Sequence, residues 1–245
     1  MSIRLAFIIF LCGQALIGCA AREHVKPISN SYLEDRDVTV ADDSLPFNHA
    51  WIDPNIPSGH YTKVFFRTVT IEKLPKGAWK ASKSPYISSE KDYLKEAKLL
   101  SEHFLDRLNT KVKKYPKGTF VVTDKGESGG LVFDIAITEL EFTHPIEKAG
   151  VMLVPVPGSS VAFSAVSEPH VAFAARVYDG ESGKLLATVA DRKFPPIRLI
   201  DVNKLTVTSS AREIVSIWAD LIAEGLNRDR FAKVSSRGLF SILPW

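Results

Sequence analysis

The most strand-like stretch of the sequence is Leu131–Phe142, which reads LVFDIAITELEF. β-Branched and aromatic residues, the types that favour strands, make up much of it. Turn-forming residues at 179–183 (DGESG) separate two further apolar runs and predict a β-hairpin at that point. The other predicted strands lie at 61–71, 120–123, 171–178 and 184–194.

Two segments predict long helices. Ser89 and Asp92 have the spacing of a capping box, and apolar residues then recur at helical spacing as far as Val112, which predicts a helix over about 90–113. A second amphipathic stripe follows Ser210. The order β-α-β-β-(insert)-β-β-α predicts an α+β fold. The predicted fold is a two-layer sandwich in which two long helices cover one face of a mostly antiparallel sheet.

The amino terminus has the organisation of a bacterial lipoprotein signal. A basic start precedes the apolar run Leu5–Ala15, which is too short to span a membrane and is typical of a secretory signal. The next four residues, LIGC at 16–19, resemble a lipobox. The resemblance implies cleavage between Gly18 and Cys19 and acylation of Cys19, with palmitate as one acyl chain. An ordinary signal peptide with a chance cysteine is the alternative.

The residues around Cys19 also predict a location. Ala20 and Ala21 follow it, without the aspartate that retains enterobacterial-type lipoproteins in the inner membrane, so we expect the outer membrane with the domain facing the periplasm. Membrane lipid is then a predicted partner through acylated Cys19. Because Cys12 belongs to the removed segment, the mature chain has no free thiol and no internal disulfide is expected.

Four segments are expected along the chain. They are a lipoprotein signal peptide (1–18), the lipidated cysteine with a flexible polar tether (19–45), a single α+β periplasmic domain (46–230) and a C-terminal tail (231–245). A chain of 245 residues is long enough to bury a sizeable core. Lys and Arg number 31 and Asp and Glu 28, a basic excess too small and too dispersed to predict nucleic-acid binding.

No motif predicts a catalytic residue, a cofactor or a metal site. The six histidines are scattered without ligand spacing, so surface or turn positions are expected, with His103 on the exposed side of the first helix. The segment GESGK at 180–184 lacks the spacing of a phosphate-binding loop and lies in the predicted hairpin. Glu139 and Glu141 share one strand face at a separation that suits paired carboxylates, but a solvated or lysine-paired sheet edge is preferred.

An uncharged insert, Ala149–Ser167, interrupts the predicted strands. Pro155 and Pro157 exclude a spanning helix. Three interpretations are open: packing on the protein's own core, which is preferred, a self-association or partner surface, and membrane contact. The residues of the possible contact segment are Val151, Leu153, Val156, Val161, Phe163 and Val166.

Several short motifs occur in an order that resembles an uncharacterised bacterial lipoprotein family, domain of unknown function 3313. The matching segments are WIDP at 51–54, YTKV at 61–64, DIAIT at 134–138, ARVYD at 175–179, SGKLLA at 182–187, DRK at 191–193 and WAD at 218–220. The resemblance covers about residues 45–228, implies an envelope lipoprotein and supplies no catalytic residues. The strand order is also similar to that of curli-secretion-channel lipoproteins and of the TolB amino-terminal domain, at the level of the fold.

Together these features predict an outer-membrane lipoprotein with a non-enzymatic periplasmic interaction or assembly domain. A protein partner or a second copy of the chain is the expected ligand of that domain. The alternative is an oligomeric subunit of an envelope transport or secretion assembly, and a weaker alternative is a periplasmic hydrolase.

Overall fold

The computed structural model describes residues 32–33, 45–56, 59–82, 87–116, 118–142, 170–194 and 208–227. Within those ranges the chain forms strands, a short 3-10 helix and two long helices. In chain order they are β1 (His49–Ile52), β2 (Lys63–Phe66), the 3-10 helix (Ala78–Lys80), α1 (Glu90–Lys113), β3 (Val121–Val122), β4 (Gly130–Leu140), β5 (Val171–Asp179), β6 (Leu185–Lys193) and α2 (Ser209–Asn227).

The strands form one sheet in the order β1-β6-β5-β4-β2-β3. Antiparallel pairing joins β1 to β6, β6 to β5 and β5 to β4. β2 runs parallel to both of its neighbours, β3 and β4. Parallel neighbours need a crossover connection, and α1 supplies the one between β2 and β3. The predicted α+β class, with a mostly antiparallel sheet and two long helices, is confirmed.

The strands differ from the predicted order in two respects. His49–Ile52 forms an additional strand, β1, because the outer side of β6 offers unpaired backbone groups to which it binds. β2 covers only part of the predicted 61–71 segment, and Thr70 beyond it makes an isolated bridge to Ala136. A four-residue strand carries too little sequence pattern to be predicted by itself.

Helix α1 has the predicted bounds, and its start is fixed by Ser89. The Ser89 hydroxyl accepts the backbone N–H of Asp92 at 3.2 Å and donates to the Asp92 carboxylate at 2.7 Å. This satisfies one of the N–H groups that the first helical turn leaves without a partner. The buried face of α1 consists of Tyr93, Ala97, Leu100, Ser101, Phe104, Leu108 and Val112.

Helix α2 lies beside α1 over the same face of the sheet. Lys111 Nζ of α1 is 2.5 Å from Asp220 Oδ1 of α2. The ring of Phe173 on β5 contacts both helices, with centroid distances of 5.8 Å to Phe104 and 4.5 Å to Trp218. The hydrophobic core therefore lies between the two helices and one sheet face, as expected for a two-layer sandwich.

Small residues line the opposite face of the sheet. Ala136, Ala174 and Ala190 lie in register across β4, β5 and β6, and we call them the alanine row. All three are fully buried. Tyr32 and Leu33, which belong to the predicted tether, are buried in the same cluster.

Candidate functional site

Four ionisable side chains meet on the sheet face that carries the alanine row. Glu139 of β4 and Arg192 of β6 are both in register with Ala172 of β5. Because Ala172 has only a methyl group, the guanidinium reaches across β5: Arg192 Nε donates to Glu139 Oε2 at 2.7 Å, and Nη2 donates to Oε1. With His170 and Glu141 these residues form what we call the rim cluster (Glu139, Glu141, His170, Arg192).

His170 lies between the two carboxylates of the rim cluster. Its Nε2 is 3.1 Å from Glu139 Oε2 and its Nδ1 is 3.6 Å from Glu141 Oε2. The backbone N–H of Glu141 donates to the carbonyl of His170 at 2.9 Å, which joins the chain after β4 to the chain before β5. The cluster therefore lies where the chain leaves β4 and where it enters β5.

The electrostatics of Glu139 show what the rim cluster does. Burial by itself would raise the pKa of Glu139, but hydrogen bonds from His170 and Arg192 outweigh this effect and lower the pKa to about 2. The carboxylate is thus ionised at neutral pH. A general acid or base needs a pKa near the working pH, so Glu139 in this setting is suited to an ion pair rather than to proton transfer.

Metal binding does not fit the arrangement of the rim cluster either. Its histidine directs its two ring nitrogens at different carboxylates, so the three side chains do not converge on one point, and Arg192 occupies both oxygens of Glu139. Across the residues that the structure describes, no group of three or more His, Cys, Asp or Glu side chains could hold a metal ion.

A second polar group lies at the other end of β5, and we call it the hairpin-end cluster (Asp53, Tyr61, Asp179, Lys184). Lys184 Nζ donates to Asp53 Oδ2 at 2.6 Å, and the Tyr61 hydroxyl donates to Asp179 Oδ2 at 2.8 Å. The hydrogen bond from Lys184 is the main cause that lowers the pKa of Asp53. Burial, followed by the hydrogen bond to Asp179, raises the pKa of Tyr61 to about 12. These contacts tie together the ends of β1, β2, β5 and β6.

Asp179 also organises the turn between β5 and β6. Its Oδ1 accepts the N–H of Ser182 at 2.6 Å, the hydroxyl of Ser182 at 2.7 Å and the N–H of Glu181 at 3.1 Å. These hydrogen bonds, those from Ser182 first, lower the pKa of Asp179 to about 2. Residues 180–184 form a hairpin turn, as predicted. The backbone N–H groups of Glu181 and Ser182 donate to Asp179 and are not directed at a phosphate site.

Two expectations about ionisable residues are wrong. His103 is half-buried between the helices, with Nε2 3.4 Å from Ser216 Oγ of α2, because α2 covers the flank of α1 on which it lies. Glu139 is not at a lysine-paired sheet edge, since β4 has a neighbour on each side and the partners of Glu139 are Arg192 and His170. The opposite charges of Glu139 and Arg192 were visible in the sequence, but only the strand register brings them together.

The remaining predicted site residues fall outside the described ranges. These are the cleavage and lipidation residues, Gly18 and Cys19, and the contact residues of the insert, Val151, Leu153, Val156, Val161, Phe163 and Val166. Neither helix in the described part of the chain is both long enough and apolar enough to cross a membrane.

Comparison with solved structures finds distant similarities. The PelC dodecamer of Paraburkholderia phytofirmans is 8% identical and aligns with a TM-score of 0.40, over 74% of this chain and 97% of that chain. The hypothetical protein CT253 of Chlamydia trachomatis is 10% identical and aligns with a TM-score of 0.33, over 68% of this chain and 97% of that chain. At these TM-scores neither similarity carries a functional conclusion, and the similarity to TolB stays a prediction.

Comparison with sequences identifies a family. No curated protein matches the chain. The family described as "Protein of unknown function (DUF3313)" matches residues 38–222, which is most of the chain and includes the described strands and all but the end of α2. Five of the seven motifs that carried the resemblance supply residues of the two polar clusters: Asp53, Tyr61, Asp179 and Lys184 at the hairpin end, and Arg192 at the rim. This protein is a member of the DUF3313 family.

Proposed function

We propose that this protein is an outer-membrane lipoprotein of bacteria, cleaved after Gly18, acylated on Cys19 and facing the periplasm with its α+β domain. The support is the LIGC tetrapeptide at the end of a short apolar run, in a chain whose family match begins only at residue 38. Several acyl chains on one cysteine anchor a protein stably, whereas a single chain is marginal.

We further propose that the domain acts by interaction or assembly and not by catalysis. The observation that carries this proposal is the state of Glu139 in the rim cluster. Both of its oxygens are engaged by Arg192, and its pKa is about 2, far from the range of a general acid or base. The carboxylates of the hairpin-end cluster are also paired within the chain, because Asp53 and Asp179 accept hydrogen bonds from neighbouring parts of the protein.

For the uncharged insert 149–167, we propose packing on the protein's own core. Hydrophobic burial is worth about 25 cal/mol per Å², and an apolar surface of several hundred Å² is seldom left bare on a soluble monomer. A contact with a partner or a second copy, and a contact with the membrane, are the alternatives for the same residues.

The anchor is tested with Cys19→Ser. In cells given radiolabelled palmitate, we expect the wild-type chain to carry label and to sediment with membranes, and the variant to lose both properties. Cys12→Ser is the matched control, because it alters the only other cysteine and is expected to keep the label. Label and membrane fractionation that persist in Cys19→Ser would contradict the lipoprotein proposal.

The interaction role is tested by crosslinking in living cells followed by identification of the captured proteins. A reproducible partner, or a crosslinked copy of this chain, is the expected result, and no protein crosslink above background would count against it. Light scattering of the purified chain then separates the candidates. A monomer supports the interaction domain, and a stable ring supports a subunit of a transport or secretion assembly.

A further inference from the structure

Tyr32, which precedes the predicted domain in the sequence, packs against the sheet. Tyr32 is 6% exposed and Leu33 5% exposed, and both are buried in one cluster with the alanine row. Because the row carries only methyl groups, it leaves room above three adjacent strands for an aromatic ring. An aromatic side chain in such a position buries a large apolar area for little conformational entropy.

Charged groups beside the alanine row also contact Tyr32. The guanidinium of Arg176, two residues along β5 from Ala174, lies 4.8 Å from the ring centroid, and Lys73 Nζ lies 5.9 Å from it. Both distances are within the range of cation–π attraction. Burial, followed by the nearby carboxylate of Asp134, raises the pKa of the Tyr32 hydroxyl. Tyr32 thus combines apolar packing in the cluster of the alanine row with cation–π contacts to Arg176 and Lys73.

We propose that the alanine row is an intramolecular docking surface for the N-terminal segment, with Tyr32 as the anchoring side chain. In the described part of the chain both long helices lie on one face of the sheet, and Tyr32 and Leu33 cover part of the other. The position of Tyr32 in the chain gives this contact a consequence for the membrane-bound protein. That consequence rests on the lipid anchor proposed at Cys19.

Docking at Tyr32 shortens the link between the anchor and the domain. An extended chain spans at most about 3.3–3.6 Å per residue. The residues from Cys19 to Tyr32 can therefore reach at most about 45 Å, against about 90 Å from Cys19 to Leu45, the next described residue after Leu33. While Tyr32 is docked, the domain is confined to about half the distance from the membrane that its linker would otherwise permit.

The docking is tested on the full-length chain in detergent, without any need for the lipid anchor. Tetranitromethane nitrates accessible tyrosine rings, and trypsin releases residues 23–36, in which Tyr32 is the only tyrosine. We expect nitration of Tyr32 to be slower in the folded chain than in the same chain in concentrated urea, in proportion to the loss of exposed ring. Equal rates in the two states would overturn the proposal.

Two variants test whether the alanine row provides the protection. Ala174→Leu places a larger side chain in the middle of the row and is expected to abolish the protection of Tyr32. Arg176→Gln leaves the row intact but removes the cation beside Tyr32, and it is expected to weaken the protection from nitration. This variant provides the test if Ala174→Leu does not fold. His24→Ala, in the same N-terminal segment, is the control and should change nothing. Intramolecular docking would be overturned if Tyr32 stayed protected in both folded variants. It would also be overturned if the protection disappeared on dilution, because Tyr32 would then bind a second copy.

The shortened link is tested separately on vesicles that carry the acylated protein. A fluorophore on Glu102→Cys, at an exposed position of α1, reports its distance from acceptor-labelled lipid headgroups by energy transfer. Adding Tyr32→Ala is expected to reduce the transfer, and Tyr32→Phe, which keeps the ring, should not. Unchanged transfer in Tyr32→Ala would overturn the shortened link. A missing palmitate label would instead point to failure of the anchor, and nitration would still report on the docking.

Discussion

The indole Nε1 of Trp218 donates a hydrogen bond of 2.7 Å to Oδ2 of Asp191. This contact joins helix α2 to strand β6 inside the core, where Trp218 is fully buried and Asp191 is 2% exposed. The same oxygen is 2.9 Å from Lys193 Nζ, and Oδ1 accepts the backbone N–H of Asn48 at 3.2 Å. A buried carboxylate is costly unless it is paired and hydrogen-bonded, and here it has three donors. Two short family motifs, DRK and WAD, therefore meet through one carboxylate.

Loss of the indole donor should destabilise the domain. Trp218→Phe removes one hydrogen bond to a buried carboxylate, and we expect it to cost about 1–3 kcal/mol beyond the loss of apolar volume. Urea unfolding followed by circular dichroism measures the change. Trp79→Phe is the matched control, because Trp79 is only partly buried at the edge of the core. Equal shifts in the two variants would show that the hydrogen bond to Asp191 contributes nothing.

Glu139 should make the stability of the protein depend on acid pH. Its pKa is about 2 in the folded protein and 4.5 ordinarily, so folding favours the ionised form. Stability from this group is fully present above about pH 4.5 and is lost as the pH falls toward 2. At pH 6 we expect Glu139→Gln to cost about 1–2 kcal/mol after screening by solvent, and we expect the difference from wild type to shrink below pH 4.5.

Urea unfolding of both chains between about pH 2 and about pH 6 checks this dependence, because this range includes the interval from 4.5 down to about 2 in which the stability from Glu139 is lost. Glu127→Gln is the control, since Glu127 makes an exposed ion pair with Lys63 at 3.3 Å and such pairs contribute little. A difference between Glu139→Gln and wild type that stays constant across the whole range would contradict the proposed role of its ionised form.

Gly180 is expected to tolerate no side chain. A Cβ atom there would collide with the carbonyl oxygen of Glu127 and lie 2.9 Å from the backbone nitrogen of Glu127 and from the carbonyl of Gly130. All three atoms belong to the backbone, so the hairpin must shift, and Gly180→Ala should cost roughly 1–3 kcal/mol. Gly183→Ala is the matched control: its φ of 69° is strained for alanine but the site is open, so about 1 kcal/mol is expected. Thermal denaturation compares them, and a smaller loss in Gly180→Ala would contradict the predicted collision.

Charges in the uncharged insert distinguish its possible roles. If 149–167 packs on the core, Leu153→Asp with Phe163→Asp buries two unpaired carboxylates and should cost several kcal/mol, so the domain melts early or does not fold. Serine at the same two positions is the milder control. Normal melting of the aspartate variant, with loss of self-association or of vesicle binding, would show that the insert is an external contact.

The sequence by itself determined the features that depend on neighbouring residues. The spacing of apolar residues and the Ser89 cap predicted α1 with its bounds, because helix periodicity and capping operate within a few positions of the chain. The β-branched run at 131–142 predicted β4 for the same local reason, and the turn residues at 179–183 predicted the hairpin.

Only the tertiary structure decided which distant groups meet. Glu139 and Arg192 are 53 positions apart, and they pair because β4, β5 and β6 adopt a register that places both beside Ala172. A shift of one residue would turn either side chain to the opposite face of the sheet. The edge strand β1 likewise forms only where β6 is present to pair with it. The position of Tyr32 depends in the same way on the alanine row. Local propensity determines the elements, whereas register and packing between elements determine the clusters that they build.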